Sequence, residues 1–476
     1  MGRQLPSNHS QVSLFSRLVK HVAFPLNELR EGTRVLPLLR RLEATQYADA
    51  ESLHRLRLEK LRALLQHAYH NTIFHRRRFD EAGIRPEDVR EFDDLRLLPP
   101  MSKGDIVRHQ RELVARNLPP AQLRRTATGG STGTHTPFVR DKDCYDVKRA
   151  AEFRFNQWIG WHVGEKVAVV WPAIQDVYGP ETLKAKLRHM FVDRHVLFYA
   201  GQLDERLMGQ IAGRLHRFAP SLIRTFPNTL AILSKYIRDA TRYRIRPKGI
   251  WSSGEPLLPS QRALFEEVFQ CPVFNCYAAR ECGHAASECE AHDGLHINAE
   301  CLHLEFEMHG KPVPAGEPGY LLITDFDNLG MPFIRYQIED IGVPLAGSCR
   351  CGRSLPRMDV CAGRVSDFVR SPHDGSLVSG AILVHDLVAE GPDVGQLQVV
   401  QDAEDHLILR INRGSRGVLG ATETQHVRNV IDRVFHGAMR LTIVPVQSIP
   451  REKSGKHRVF ISCLSQPDLA QDCVRH

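Results

Sequence analysis

Residues 249–281 read GIWSSGEPLLPSQRALFEEVFQCPVFNCYAARE. An apolar run from Gly249 to Ser252 gives way to a polar turn, Ser252-Ser253-Gly254-Glu255-Pro256. A helical pattern over Gln261 to Phe269 follows. A second apolar run, Val273 to Tyr277, then ends in Ala278-Ala279-Arg280-Glu281. Strand, helix and strand in this order make one unit of an α/β sheet, with a polar motif after each strand. Ligands of open α/β sheets gather beyond the carboxyl ends of the strands, so the two motifs are expected to face one crevice. The ring of Tyr277 can stack on a base and the carboxylate of Glu281 can hold magnesium on phosphates; a lone Tyr or Glu serves packing as readily.

The same alternation extends outward. Val167 to Trp171, Leu222 to Thr225 and Leu321 to Asp325 read as strands, and Thr229 to Thr241 as a helix. Upstream, Leu61, Leu64, Leu65 and Ala68 recur at helical spacing within residues 51 to 70, and a further helix near Phe79 is ended by Gly83 and Pro86. Downstream the character changes. Leu397 to Gln401 and His406 to Asn412 read as paired strands across the turn Asp402 to Asp405. A helix with Val427, Val430, Ile431 and Val434 on one face follows, then a strand at Leu441 to Val446. These patterns predict an α/β protein of two domains. A large N-terminal domain of layered sheets and helices spans 1–362, with a helical lead-in over about 1–110. A small mobile α+β domain spans 363–476, the boundary falling near Ala362 to Asp367.

At 476 residues the chain exceeds what one hydrophobic core serves, which agrees with two domains. Its 42% hydrophobic and 25% charged residues exclude a disordered or fibrous protein. The net charge of +8 is scattered in short runs such as Arg76 to Arg78, with no aromatic interleaving of the kind a nucleic-acid groove needs. No stretch approaches the ~20 apolar residues that span a bilayer. Met1 to Ser10 is polar, so no signal peptide is expected, and Val12 to Leu26 is mildly amphipathic and expected to pack on the body. Eleven cysteines in such a chain predict reduced thiols and a cytoplasmic protein.

Further motifs carry candidate chemistry. Thr128-Gly129-Gly130-Ser131-Thr132-Gly133-Thr134 offers hydroxyls and backbone amides to phosphate oxygens, although a plain flexible loop has the same composition. Asp340 closes the segment Pro332 to Asp340 and could accept from a ribose diol or cap a turn. Gly363-Arg364-Val365-Ser366-Asp367 stands at the proposed junction, and Ser454-Gly455-Lys456-His457-Arg458 near the end puts a compact cation on a loop. Cys349-Arg350-Cys351 with upstream Cys289 and His296 suits a tetrahedral zinc site, against the alternative of scattered buried thiols. Cys282, His284 and Cys301 compete for the same role.

In order and spacing these motifs resemble those of the adenylate-forming superfamily, which includes acyl-CoA synthetases, peptide-synthetase adenylation domains and luciferase. The branch they are most similar to is the phenylacetate–CoA ligase and capsular-polysaccharide-biosynthesis group, through Phe79 to Ile84, Leu98-Pro99 and Asn328 to Tyr336. That branch also resembles the Cys/His arrangement. The resemblance implies that Thr128 to Thr134 bind ATP phosphates, that Gly254 and Glu255 line the adenine pocket, and that Tyr277 stacks there. It implies magnesium on Glu281, ribose on Asp340, and Arg364 approaching ribose or phosphate. Asp367 becomes the hinge and Lys456 the adenylating cation.

Three departures stand out: Ala278 and Ala279 replace Gly and Ser or Thr, and Glu339 replaces the glycine before the ribose-binding aspartate. The implied reaction joins a carboxylic acid, an aryl acid foremost, to a thiol of CoA or a carrier protein. An amide synthetase with an amine acceptor is the alternative enzyme, and a non-catalytic scaffold for polysaccharide or cell-envelope assembly is the alternative of another kind. Trp171, Phe226 and Ala278-Ala279 are candidate walls of the acyl pocket.

Overall fold

The computed structural model describes residues 13–127, 137–171, 188–200, 203–364, 368–373, 377–379, 383, 387, 396–413, 417–449 and 460–463. The parallel strands are β3 (Val167–Trp171), β4 (His195–Tyr199), β5 (Leu222–Thr225), β6 (Gly249–Ser253) and β7 (Val273–Ala279), preceded by a hairpin-like pair, β1 (Leu123–Ala127) and β2 (Pro137–Asp141). The chain continues through β8 (Gly283–Glu288), β9 (Leu295–Ile297), β10 (Leu302–Met308), β11 (Lys311–Pro312), β12 (Gly319–Asp325), β13 (Tyr336–Leu345) and β14 (Arg357–Arg364). From β3 to β14 these strands make one sheet in the order β11-β10-β12-β13-β14-β9-β8-β7-β6-β5-β3-β4. The strand β7 is the pivot: parallel to β6 on one side and antiparallel to β8 on the other.

Local chemistry explains the elements. The helix Pro259–Phe269 starts on a proline, whose missing N–H costs nothing at a helix start, and Leu264, Phe265, Val268 and Phe269 turn toward the sheet. The helix Lys142–Trp158 is capped by Asp141, whose Oδ1 accepts from the Cys144 amide at 2.9 Å. The other oxygen of Asp141 accepts from the amides of Leu329 and Gly330 at 2.8 and 2.9 Å. One carboxylate thus ties the helix start to the segment after β12. This helix lies on one face of the sheet: Phe153 shares a core with Val167, Leu222, Trp251 and Phe274, from β3, β5, β6 and β7. The helices Glu205–Phe218, Pro227–Ala240 and Pro259–Phe269 cover the opposite face through Ile211, Leu230, Leu233 and Phe265. The result is the layered α/β architecture expected, and the long helix read over 51 to 70 runs from Ala50 to Asn71.

Beyond residue 368, strands Gln396–Ala403, His406–Asn412, Arg440–Pro445 and Phe460–Ser462 form a second sheet, with helix Ala421–Phe435 against it. Val427, Val430 and Ile431 face this sheet as the sequence pattern predicts. Among the described residues the core of this unit draws only on positions from Val369 to Phe460. No helix of the described residues is long and apolar enough to cross a membrane.

Candidate active site and thiol cluster

Parallel strands leave their carboxyl ends along one edge, and the motif residues of β6 and β7 emerge there. Gly254 follows β6 with φ of +84°, a left-handed conformation. A Cβ at this position would lie 2.3 Å from Cε1 of Phe226, so no larger residue fits the present packing. Phe226 in turn meets Trp171 edge-on, ring centroids 4.4 Å apart. The two candidate pocket walls are therefore in contact at the ends of β3 and β5. Glu255 Oε2 accepts from the amide of Asn228 at 3.2 Å, which binds it to the first turn of the neighbouring helix.

Tyr277, near the end of β7, donates its hydroxyl to Asp340 Oδ2 at 2.6 Å. Burial, then the charge of Asp340, pushes the phenol well above its ordinary range, so the proton stays on the tyrosine. Tyr336 donates to Glu281 Oε1 at 3.4 Å, a long bond, and burial and the Glu281 charge raise this phenol too. Two residues from the 277–281 motif thus pair with two from β13, across strands far apart in the sheet order. Glu339, the residue that departs from the resembled pattern, has φ of +68°. The left-handed backbone is kept here without the glycine that ordinarily supplies it. Asp340 itself pairs with Arg364 of β14 beside an irregularity of the β13–β14 ladder.

The segment between β12 and β13 is mostly scaffold. Asp325 Oδ1 accepts from Lys148 Nζ at 2.8 Å, both buried. Asn328 Nδ2 donates to the carbonyls of Val139 and Met331 at 3.0 Å. Arg335 is buried with φ of +51°; its guanidinium meets Glu305 at 3.1 Å, Glu307, and the carbonyl of Leu98 at 2.6 Å. Lys148, Glu305 and Glu307 were not singled out from the sequence, because nothing local marks a residue whose partner lies far away in the chain.

A cavity of about 580 Å³ opens between the helix Lys142–Trp158 and the sheet, lined among others by Arg140, Lys148, Glu152, Arg224, Gly283 and His284. Arg224 pairs with Glu152, lies 4.6 Å above the Trp251 ring, and donates to His284 Nε2 at 3.3 Å. Burial pushes His284 down to about 4, so the imidazole is neutral and can accept that bond.

The thiol cluster is apart from this edge. Cys289 Sγ and Cys349 Sγ lie 3.7 Å apart, Cys351 Sγ and His296 Nε2 3.3 Å apart, and one ligand atom from each residue falls within 4.8 Å of all the others. Tetrahedral zinc with Zn–S of about 2.3 Å and Zn–N of about 2.0 Å requires S···S near ~3.8 Å and S···N near ~3.5 Å. His296 Nδ1 donates to the carbonyl of Leu355 at 3.1 Å, which turns Nε2 toward the thiols as a ligating histidine requires. The set therefore fits the ion. The rival residues lie elsewhere: His284 with Arg224, Cys282 beside the carbonyl of Gly283, and Cys301 buried in the core with Phe24 and Trp251.

Thr128, Gly129, Gly130, Ser131, Thr132, Gly133 and Thr134, the expected hinge Asp367 and Lys456 lie outside the described residues; Arg364 is described by its backbone.

No protein-family profile matches the chain. It is 28% identical over 346 residues to the phenylacetate–coenzyme A ligase of Escherichia coli, covering 69% of this chain and 75% of that protein. It is 25% identical over 392 residues to the enzyme of the same name from Aromatoleum evansii, covering 77% and 82%. Among solved structures, 2-hydroxyisobutyryl-CoA ligase in complex with its R3-HIB-AMP adenylate superposes with a TM-score of 0.71 at 19% identity, over 90% of this chain and 94% of that one. An anthranilate CoA ligase bound to anthranoyl-AMP gives 0.51 at 14% identity, over 70% and 65%. By sequence the chain is similar to phenylacetate–coenzyme A ligases, and its fold is the one that 2-hydroxyisobutyryl-CoA ligase adopts.

Proposed function

We propose that this chain is an ATP-dependent, AMP-forming acid–CoA ligase. The observation that carries the reading is the pairing of Tyr277 with Asp340 and of Tyr336 with Glu281 at the end of β7. It gathers two aromatic rings and two carboxylates where the sheet changes from parallel to antiparallel. In this reading Tyr277 stacks on adenine, Asp340 accepts from the ribose hydroxyls, and Glu281 would hold magnesium, which would supply positive charge to the ATP phosphates. The segment 128–134 cradles those phosphates between β1 and β2, and Arg364 and Lys456 bring cations to the α-phosphate. An oxygen of the substrate carboxylate attacks the α-phosphorus, the bond to pyrophosphate breaks, and an acyl-AMP anhydride forms. Rotation of 363–476 about Asp367 then withdraws Lys456. The thiolate of CoA attacks the acyl carbon and AMP leaves.

The names of the relatives support an aryl acid as donor and CoA as acceptor. We assign the acyl group to the cavity lined by Arg224 and by His284, three residues after Glu281, rather than to the expected walls Trp171, Phe226 and Ala278-Ala279, none of which lines it. We further assign a structural zinc ion to Cys289, His296, Cys349 and Cys351. The distances fit, and a full shell of protein ligands leaves no position for a reacting water. The test is carboxylate-dependent ATP–pyrophosphate exchange over a panel of aryl and fatty acids, followed by product analysis with CoA and with amines. Exchange with aryl acids and a thioester product are expected. No exchange with any acid, from folded protein that binds ATP, would sink the reading.

A further inference from the structure

The N-terminal run Leu14–Glu31 is continuous, with a π-helical segment, Val19–Ala23, between two α-helical ones. One face of it is fastened to the body. Ser16 Oγ accepts from Arg194 at 2.9 Å, the Phe24 ring lies 5.7 Å from that of Phe153, and Glu28 Oε1 accepts from the Leu36 amide at 3.0 Å. Val19 is buried with them.

The opposite face is apolar and open. Leu14 is 84% exposed, Leu18 53%, Leu26 59% and Leu29 80%, with Val22 between them. A four-residue repeat drifts by roughly 40° per step around a regular α-helix, and the wider π turn takes up that drift, so the side chains stay in one stripe. Met190 and Phe191, also exposed, come from the neighbouring turn His189–Asp193, which packs against the same run. Two adjacent segments thus each expose apolar side chains. Cations predominate on this run: Arg17 and Arg30 are exposed and Lys20 is half-buried, whereas Glu28 is buried and Glu31 is half-buried and paired with Arg30 at 3.8 Å.

We propose that this face docks the protein on an anionic lipid surface, the leucine stripe entering the headgroup boundary and Arg17 and Arg30 meeting lipid phosphates. Stacked aliphatic residues flanked by exposed arginines, with the described acids of the run buried or half-buried, are the pattern of a helix lying in a membrane interface. A second copy of the chain would bring like charges to the rim of the same stripe. The proposal does not rest on the acid–CoA ligase reading, although the same run and turn also line the assigned cavity through Asn27, Glu31 and His189.

Co-sedimentation of the intact protein with phosphatidylcholine vesicles, with and without phosphatidylglycerol, tests it. Binding is expected only with the anionic lipid, weakening as salt rises. The exposed double change Leu18→Glu/Leu29→Glu should abolish it, with circular dichroism and ATP binding unchanged. Arg17→Ala/Arg30→Ala should weaken it roughly 30-fold, from the loss of two interfacial cations. Absence of binding to anionic vesicles overturns the proposal. So does concentration-dependent dimerisation that Leu18→Glu/Leu29→Glu removes while vesicle binding is missing, because the stripe is then a contact between copies.

Discussion

Glu339 shows what the backbone adds to a position read from sequence. As a departure from a glycine pattern it looks like an added negative charge beside the nucleotide. The backbone gives a different account: φ is +68°, so the position demands a left-handed conformation and a glutamate has been forced into it. Replacing Glu339 with Gly is expected to leave stability unchanged or raise it by about 1 kcal/mol, the left-handed strain removed exceeding the entropy that glycine adds. Thermal unfolding of the variant checks this, and a clear loss of stability would show that the Glu339 side chain is itself structural. Tyr277 is the opposite case, a residue whose importance was legible from its place after a strand. Its partner was not, because Asp340 is 63 positions away in the chain. Tyr277→Phe keeps the ring and removes a bond to a carboxylate, a change of about 1.5–3 kcal/mol when the acceptor is charged. If Asp340 binds ribose, the apparent affinity for ATP should fall at least tenfold while the fold is retained. Unchanged ATP affinity would mean that the bond does not orient Asp340 for the nucleotide.

Elements were the most legible level. β3, β5 and the strand His406–Asn412 coincide with the stretches read from apolar runs, and β6 and β7 exceed theirs by one or two residues. Short apolar runs bounded by turn residues announce themselves locally. The antiparallel half of the sheet was far less legible, since β8 to β14 include strands such as β10, in which Glu305 and Glu307 alternate with leucine and phenylalanine. Those glutamates are buried because Arg335 reaches them from the loop before β13. Arg335→Ala would leave two buried carboxylates unpaired, and breaking a buried pair in this way costs about 3–5 kcal/mol. Denaturant unfolding should register that loss; a change below about 1 kcal/mol would mean that water or protonation replaces the guanidinium. The thiol cluster joins elements differently, holding β9 to the loop before β14. With Cys351→Ser, metal analysis should find less zinc per chain and the thermal midpoint should drop, as should removal of metal from the parent protein by a chelator. Equal zinc content in variant and parent would overturn the assigned ligand set.

For the whole molecule, the sequence composition says that 24 histidines are present but not where their protons are. Folding decides that. Burial holds His75 at about 3, with the neighbouring Arg78 acting in the same direction, and holds His284 at about 4. His303 lies well below its ordinary value, through burial and then Arg57. Each is neutral in the folded chain and takes up a proton on unfolding whenever the pH is below about 6.5. The sign follows from that difference. The unfolded state binds more protons, so stability is complete above about pH 6.5 and is lost as pH falls toward the folded values. Each such group contributes a slope of about 1.4 kcal/mol per pH unit in that window. His75 and His284 together remove up to about 4 kcal/mol between pH 7 and pH 5. This range lies above the ordinary carboxylate titration, so the loss should precede acid unfolding driven by broken ion pairs. The urea midpoint measured from pH 7 to pH 5 should therefore fall steadily. His75→Gln should flatten the dependence, because the amide keeps a hydrogen-bond donor for the Pro332 carbonyl, now 2.9 Å from Nε2, without a titrating group. A midpoint that stays level across this range would mean that these imidazoles reach water or acidic partners when the chain is folded. The neutral state of His284, which lines the cavity assigned to the acyl group, would then have to be reconsidered.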